Sequence, residues 1–316
     1  MQKYILKRLL WMIPVVLGVS VLIFTILYFV KGDPARIALG TTATLEELDA
    51  YRHALGLDRP YIVRLGGFLY DTFIRFDLGS SYMTNIPVIK SIGMYAPNTL
   101  ILSGLSVLLS VVVGIPLGVN AAVHRNTLSG DRIPMLLAMA CVSMPSFWLA
   151  LLLVVVFAAK LHWLPATGTG GIKFWILPVI SNSFGGIAAQ ARQSRSAMLE
   201  VIRSDYVTTA RSKGVAERAV IYRHALPNAL IPVITGIGFA LGNILGGSLI
   251  IETIFGIPGM GMYMIGGVNN RDYPVVQGCV IFLAIVFSLV MLLTDIAYSF
   301  VDPTIKAQYT KGKRGK

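Results

Sequence analysis

The feature that most limits how this chain can fold is a set of long apolar runs that almost no charge interrupts. The hydrocarbon core of a bilayer is about 30 Å thick, and a helix needs roughly 20 residues to cross it. Runs at 9–30, 98–123, 133–159, 174–190, 228–251 and 275–301 reach or approach that length. The sequence therefore predicts an all-α membrane protein with six transmembrane helices. Charged residues make up 13% of the chain, against about a quarter in an ordinary soluble domain, so a soluble core does not account for the apolar surface. The run 174–190 is the most polar. It carries Ser181, Asn182, Ser183, Gly185 and Gly186, which suits burial among other helices better than contact with lipid.

The formal charge is +12. The bases flank the apolar runs instead of lining one soluble face, so no nucleic-acid partner is expected. With the N-terminus inside, seventeen of the 27 Lys and Arg fall in cytoplasmic segments, among them Lys3, Lys7, Arg8, Arg125 and Arg132. That asymmetry predicts that both termini are cytoplasmic. The first run is longer than a signal-peptide core and no A-x-A site follows it, so it reads as an uncleaved span. Four regions result: an N-terminal segment with the first span, 1–30; an extracytoplasmic loop region, 31–97; a transmembrane core, 98–301, with a cytoplasmic segment at 192–227; and a basic cytoplasmic tail, 302–316. In the loop region Thr44 and Glu47 have the spacing of a capping box opening a helix over 44–55.

Catalytic chemistry has no visible carrier. Cys141 and Cys279 lie in apolar stretches without metal-ligand spacing, and His53, His124, His162 and His224 are scattered. No G-x-S-x-G is present, and no G-x-x-x-x-G-K-[ST] phosphate loop. The chain is expected to be non-catalytic, with no cofactor or metal of its own.

The cytoplasmic segment is the most informative. Helical spacing over 192–206 puts Leu199, Ile202, Tyr206 and Ala210 on one stripe, with Arg195, Arg203 and Arg211 elsewhere. Gly214 is expected to end that helix in a left-handed conformation. A second short helix over 215–225 is expected to follow and to stop at Pro227. The stretch TTARSKGVAERAVIYRHALP resembles the EAA loop of ABC importer permeases, with Ala210, Gly214, Leu226 and Pro227 matching in spacing and Thr208, Thr209 and His224 departing from it. The flanking RSAMLEVIRSDYVTTARSKG and RHALPNALIPVIT resemble the first-permease subtype of the dipeptide/oligopeptide/nickel family. GDP at 32–34, LGLDRP at 55–60, DLGSS at 77–81, ETIFGIPGMG at 252–261 and RDYPVVQG at 271–278 extend that likeness over most of the chain. Pro227 stands where this branch often has arginine.

The resemblance implies an ABC type I importer permease fold in a bacterial inner membrane. It implies a heterodimer with a second homologous permease, two cytoplasmic ATPase subunits that bind ATP and Mg, an extracytoplasmic solute-binding protein, and a bilayer around the whole. Peptides are the expected cargo, with nickel chelate, glutathione or another small solute as the alternative. It assigns ATPase coupling to Tyr206, Thr209, Ala210, Lys213, Gly214, Arg223, His224, Leu226 and Pro227. The translocation path or its gate is expected at Glu252, Gly256, Pro258, Gly259, Arg271 and Asp272, because glycine and proline break helices and irregular backbone at membrane depth must face protein or water. A secondary transporter would instead show an inverted repeat with paired broken helices, and neither is readable here.

Overall fold

The computed structural model describes residues 2–30, 32–40 and 42–301 of the chain; the basic tail expected at 302–316 lies outside them. Among the described residues, five helices are long and apolar enough to cross a membrane: Ile5–Phe29, Val88–Val123, Ile172–Val201, Glu217–Phe255 and Tyr273–Ala297. In chain order the helices are α1 (Gln2–Phe29), α2 (Pro34–Leu39), α3 (Leu45–Ala54), α4 (Tyr61–Phe73), α5 (Val88–Val123), α6 (Ile133–Ser143), α7 (Ser146–Leu153), α8 (Ile172–Val201), α9 (Asp205–Ser212), α10 (Glu217–Ala219), α11 (Leu226–Phe255), α12 (Met260–Asn269) and α13 (Tyr273–Val301).

The run 133–159 is not one helix. α6 ends at Ser143 and α7 starts after Pro145, then continues as the π-helical turn Val154–Lys160. Pro145 has no N–H to give to α6, and its ring pushes the preceding residue out of helical geometry. The apolar helix left after the break, Ser146–Lys160, is shorter than the other five.

The chain forms two compact units. One comprises Leu100–Ile257 with 2–5 and 289–301. Its centre is α8, which packs on α6, α7 and α11. α5 crosses α8 at two of its glycines, Gly114 and Gly118. A Cβ at Gly114 would sit 2.6 Å from the Ile187 carbonyl oxygen, and one at Gly118 would strike the Ala191 carbonyl. Only glycine lets the two backbones approach this closely. Above that crossing the contact is polar: Ser110 Oγ donates to the Ser183 carbonyl at 3.1 Å, and Asn182 Nδ2 to Ser106 Oγ at 3.3 Å. This accounts for the weak hydropathy of 174–190, since Ser181, Asn182 and Ser183 are buried against protein. A second cluster joins Leu102, Ala150, Leu177, Ile251, Phe255 and Ile257.

The other unit comprises Leu6–Thr99 and Pro258–Ser288. α4 lies on α1 through Phe24, whose ring stacks on Phe68 at a centroid distance of 5.2 Å. Thr25 Oγ1 and Tyr61 Oη share a hydrogen bond of 2.8 Å beside them. The capping box forms: the Glu47 N–H donates to Thr44 Oγ1 at 3.3 Å and the Thr44 N–H to Glu47 Oε2 at 2.8 Å. Asp33 caps α2 and pairs with Arg52 of α3 at 2.5 Å. The Arg52 guanidinium, and then the Ala35 N–H, hold the Asp33 carboxyl below its ordinary range. A tight turn over 79–87 closes on hydrogen bonds from Ser81 N to Ile86 O and Val88 N to Gly79 O. Val88, Ile92 and Ala96 of α5 bury against Met260, Val275 and Cys279.

Candidate functional site

The segment from Ile202 to Asn228 is a built surface. α8 ends at Val201, and the chain turns through Ile202–Ser204 before α9. The helix expected without interruption over 192–206 is thus broken there, and the break shifts the register. Leu199 and Ile202 face the core as expected, but the next inward residue is Val207, fully buried, while Tyr206 is 45% exposed. Ala210 remains buried. α9 is short, with Asp205 in its first turn and Arg211 in its last, both favourable to the helix dipole.

Gly214 then reverses the chain with φ +77°. Its N–H donates to the Arg211 carbonyl at 2.9 Å, and the Val215 N–H to that of Ala210 at 3.3 Å. A side chain at this φ is strained, which is why glycine stands at the reversal. Arg211 spans the turn. Its Nη2 and Nε reach both Glu217 carboxylate oxygens, at 2.7 and 3.1 Å, and its Nη1 reaches the Ile202 carbonyl at 3.4 Å. Glu217 keeps the Arg211 guanidinium more strongly protonated than a free arginine.

Beyond the reversal, Pro227 does not stop a helix. α10, the π-helical turn Val220–Ala225 and α11 run on as one apolar helix, Glu217–Phe255. Pro227 is the second residue of α11, directly after the π turn, whose wider backbone leaves room for the ring so that the helix runs on past the missing N–H. In place of two short helices, the segment is α9, one glycine reversal, and a long helix that enters the apolar region directly.

Under the segment lies one hydrophobic cluster. It joins Val119 and Ala122 of α5, Ala197 and Met198 of α8, Val207 and Ala210 of α9, Val220, Ile221 and Ala225 of the π turn, and Ala229 and Val233 of α11. Leu226 packs against it from the side. On the outside, Tyr206, Thr208, Thr209, Lys213, Gly214, Arg218, Tyr222, Arg223 and Pro227 are exposed, and His224 is half-buried. Tyr206 is fixed by Asn228 Nδ2, which donates to its hydroxyl at 2.9 Å. Tyr222, 58% exposed, is a part of this surface that helical spacing alone did not single out. The face offers tyrosines and bases, with Glu217 engaged by Arg211.

A part-buried ion pair braces the same unit. Arg195 of α8 meets Asp131 through Nε to Oδ1 at 2.6 Å and Nη2 to Oδ2 at 2.7 Å. The Asn126 N–H adds a bond to Oδ2 at 2.9 Å. Arg195 and then the Asn126 N–H hold the Asp131 carboxyl below its ordinary range. The two partners lie far apart in the chain, and nothing in the local spacing links them.

The residues expected at the path or gate fall in both units. In the first, Glu252 is fully buried in the last turn of α11. Gly256 ends that helix in the left-handed conformation, and the Phe255 carbonyl accepts from Gly168 N at 2.9 Å. In the second, the Pro258 carbonyl accepts from Asn98 Nδ2 at 2.8 Å, and the Met260 N–H donates to Thr99 Oγ1 at 2.8 Å. Gly259 then precedes α12, a helix where the glycine-rich sequence suggests irregular backbone. Asp272 is 3% exposed. It accepts from Ser81 Oγ at 2.5 Å and from the Tyr82 N–H at 3.0 Å. Arg271 has φ +52° and lies over Gly32, where a Cβ would be 2.8 Å from its Nε. The blocks at 32–34, 77–81 and 271–274 thus meet in one clasp.

Comparison with known proteins decides what such a chain is. Residues 114–307 match the family described as binding-protein-dependent transport system inner membrane component, and 1–103 match its N-terminal companion. The dipeptide transport system permease protein of Alkalihalophilus pseudofirmus is 39% identical over 97% of this chain and its own full length. The chain belongs to the binding-protein-dependent ABC importer permeases. This permease is also 40% identical to a putative peptide transport system permease protein of Brucella abortus, and 38% identical to a glutathione transport system permease protein of Salmonella choleraesuis, over 97% of its length and 99% of theirs. A structure of the MetNI methionine ABC transporter in an inward-facing conformation aligns with a TM-score of 0.58 at 18% identity, covering 68% of the permease and 97% of that chain. At that identity the likeness supports the fold. The permease is a multi-pass inner-membrane subunit, and catalysis is not its task.

Proposed function

We propose that this permease imports short peptides, and that an ATPase drives it by pressing on the face made by α9 and the π turn. The observation that carries the docking site is the contrast between the two sides of that face. Outward it presents Tyr206, Thr209, Lys213, Gly214, Arg223 and Pro227; inward, Ala210 and Leu226 rest on a close-packed cluster that reaches α5, α8 and α11. Packed interiors transmit displacement with little compression, so a push there moves three spans together. His224, half-buried beside Arg223, completes the set.

In this reading two cytoplasmic ATPase subunits bind ATP and Mg, and a second homologous permease forms the other half of the pathway. A solute-binding protein delivers cargo to the region 31–97. Both termini face the cytoplasm, as the Lys and Arg bias supports. Glu252, Gly256, Pro258, Gly259, Arg271 and Asp272 edge the path or its gate. Peptide cargo is supported by the names of the dipeptide and peptide relatives. Glutathione, itself a small peptide, is the second reading, supported by the relative so named.

The test is cross-linking in the assembled transporter. Thr209→Cys is expected to cross-link to a cysteine placed in the ATPase groove, with a yield that changes when ATP is trapped. No cross-link from Thr209→Cys or Tyr222→Cys in any nucleotide state overturns the docking site. Uptake of labelled trialanine by proteoliposomes, competed by excess glutathione, separates the two cargo readings.

A further inference from the structure

The second unit carries an open recess of about 440 Å³ that the clasp residues Ser81, Tyr82 and Pro274 help to line, within the roughly 300–1,000 Å³ range of small-ligand sites. Phe24, Phe68, Tyr82 and Tyr273 give it aromatic walls. Its charged lining residues are Arg59, Arg64, Asp71 and Asp77.

Arg64 is hard to explain as a structural residue. It sits in the first turn of α4, where a cation faces the positive end of the helix dipole. Among the described residues neither Arg64 nor Arg59 has an ion-pair partner. Arg64 is nevertheless held in place. Nη1 donates to the Leu57 carbonyl at 3.4 Å, and the guanidinium lies 5.2 Å from the Tyr28 ring centroid. One of its five N–H donors is used in this way, and the fork that suits a carboxylate is left to the cavity. Asp77 is the complement. Its Oδ1 accepts from the Gly79 N–H at 2.8 Å, and among the described residues no cation pairs with it. A recess with aromatic walls, guanidiniums lacking acids and a carboxylate lacking a base fits a ligand that carries both charges.

We propose that this cavity binds a short zwitterionic peptide, with Arg64 holding its free carboxylate, Arg59 beside it, and Asp77 facing its ammonium end. The site lies on the permease itself and is separate from whatever the solute-binding protein recognises. It deepens the peptide reading above and rests on it.

The test uses the assembled transporter without its binding protein, in phosphatidylcholine nanodiscs. It is titrated with trialanine and with the C-terminal amide of trialanine. The acid is expected to bind about 10- to 100-fold more tightly than the amide, the weight of one charge-assisted hydrogen-bond pair. Arg64→Met is expected to weaken the acid to the level of the amide and leave the amide unchanged. Arg64→Lys, which keeps the charge and loses the fork, is expected to fall between. Lys90→Met, which removes an exposed charge that neither lines the cavity nor pairs with a residue that does, is expected to change neither by more than about twofold.

An acid preference that survives Arg64→Met overturns the proposal, as does failure of trialanine to bind the wild-type complex. Phosphatidylglycerol nanodiscs supply another arm. If that lipid blocks trialanine, and Arg64→Met abolishes the lipid's own binding, the cavity is a headgroup site and the proposal falls. Uptake with the binding protein added keeps the two readings apart. Trialanine imported without binding to the cavity defeats this inference alone; no import of any peptide defeats the cargo reading as well.

Discussion

The proposed docking segment and the clasp are held together by opposite means. The segment 202–228 rests on apolar packing, with its polar bonds on the outside. The clasp at 77–82 and 271–274 turns on a carboxylate, Asp272, that is buried and held by Ser81 and Tyr82. Packing is non-directional and degrades gradually as atoms are removed. A buried polar bond is directional and fails as a unit, because each donor left behind is unsatisfied. A face meant to be pushed is better built the first way, and a joint that must keep one register is better built the second.

Asp272→Leu is expected to give the largest effect. It removes one buried carboxylate and strands the Ser81 hydroxyl and the Tyr82 N–H, at about 1–3 kcal/mol for each orphaned donor. Limited proteolysis should then open the 77–87 turn, while uptake is lost and ATPase activity persists. Asp272→Asn, which keeps one acceptor oxygen for the Tyr82 N–H and turns its amide N–H toward the Ser81 hydroxyl, should recover part of the resistance. If Leu is tolerated as well as Asn, the clasp is held by packing and the contrast fails.

Met198→Ala comes next. Met198 is fully buried in the cluster beneath α9, and truncating a buried Met costs about 2–5 kcal/mol. The expected signature is a lower melting temperature of the assembled complex with ATP hydrolysis that persists but moves less cargo per ATP. Met198→Leu, which conserves volume, should restore the ratio, at a cost under about 1.5 kcal/mol. Loss of transport with an unchanged ratio would mean that the cluster supports the fold and transmits nothing.

The same contrast explains what the sequence could reveal. Local devices were readable: the Thr44–Glu47 box, the left-handed Gly214, and the polar run 174–190 that had to be buried. The break at 202–204 was not, because neither glycine nor proline marks it; burial of Val207 in place of Tyr206 sets it from a distance. Pro227 misled for the converse reason, since a proline that follows a wider π turn does not end the helix. Pro145 is the signal that divides 133–159, and the apolar residues around it concealed the break. The clasp was invisible because Ser81 and Asp272 stand 191 positions apart and nothing local implies their pairing. Helical spacing places Arg195 only off the apolar stripe and nothing local singles out Arg64; their surroundings in the fold are what give them roles.

Gly214→Val sharpens the comparison from the middle of the range. Nothing lies within 4 Å of a Cβ at this position, so the penalty is conformational, about 1–2 kcal/mol for forcing an L side chain into the left-handed region. The five apolar helices should insert normally while uptake per ATP falls. Gly214→Asn, which tolerates that conformation better, should lose less. Equal losses for Val and Asn would point to a partner surface that needs the bare backbone, and would move Gly214 from geometry to contact.

Arg211→Met is expected to have the smallest effect on stability, and for that reason it discriminates most finely. The Arg211–Glu217 pair is geometrically good, yet its side chains are 36% and 59% exposed, and such pairs contribute about 0–1 kcal/mol. If the segment rests on its cluster, the melting temperature of the complex should scarcely move, and added salt should make wild type and variant converge further. Transport should fall only as far as the Gly214 reversal loosens, which hydrogen exchange at Gly214 and Val215 would register as faster amide opening. A loss of stability as large as that of Met198→Ala would show that this segment, too, is held by a directional bond. The division of labour between the two regions would then have to be drawn elsewhere.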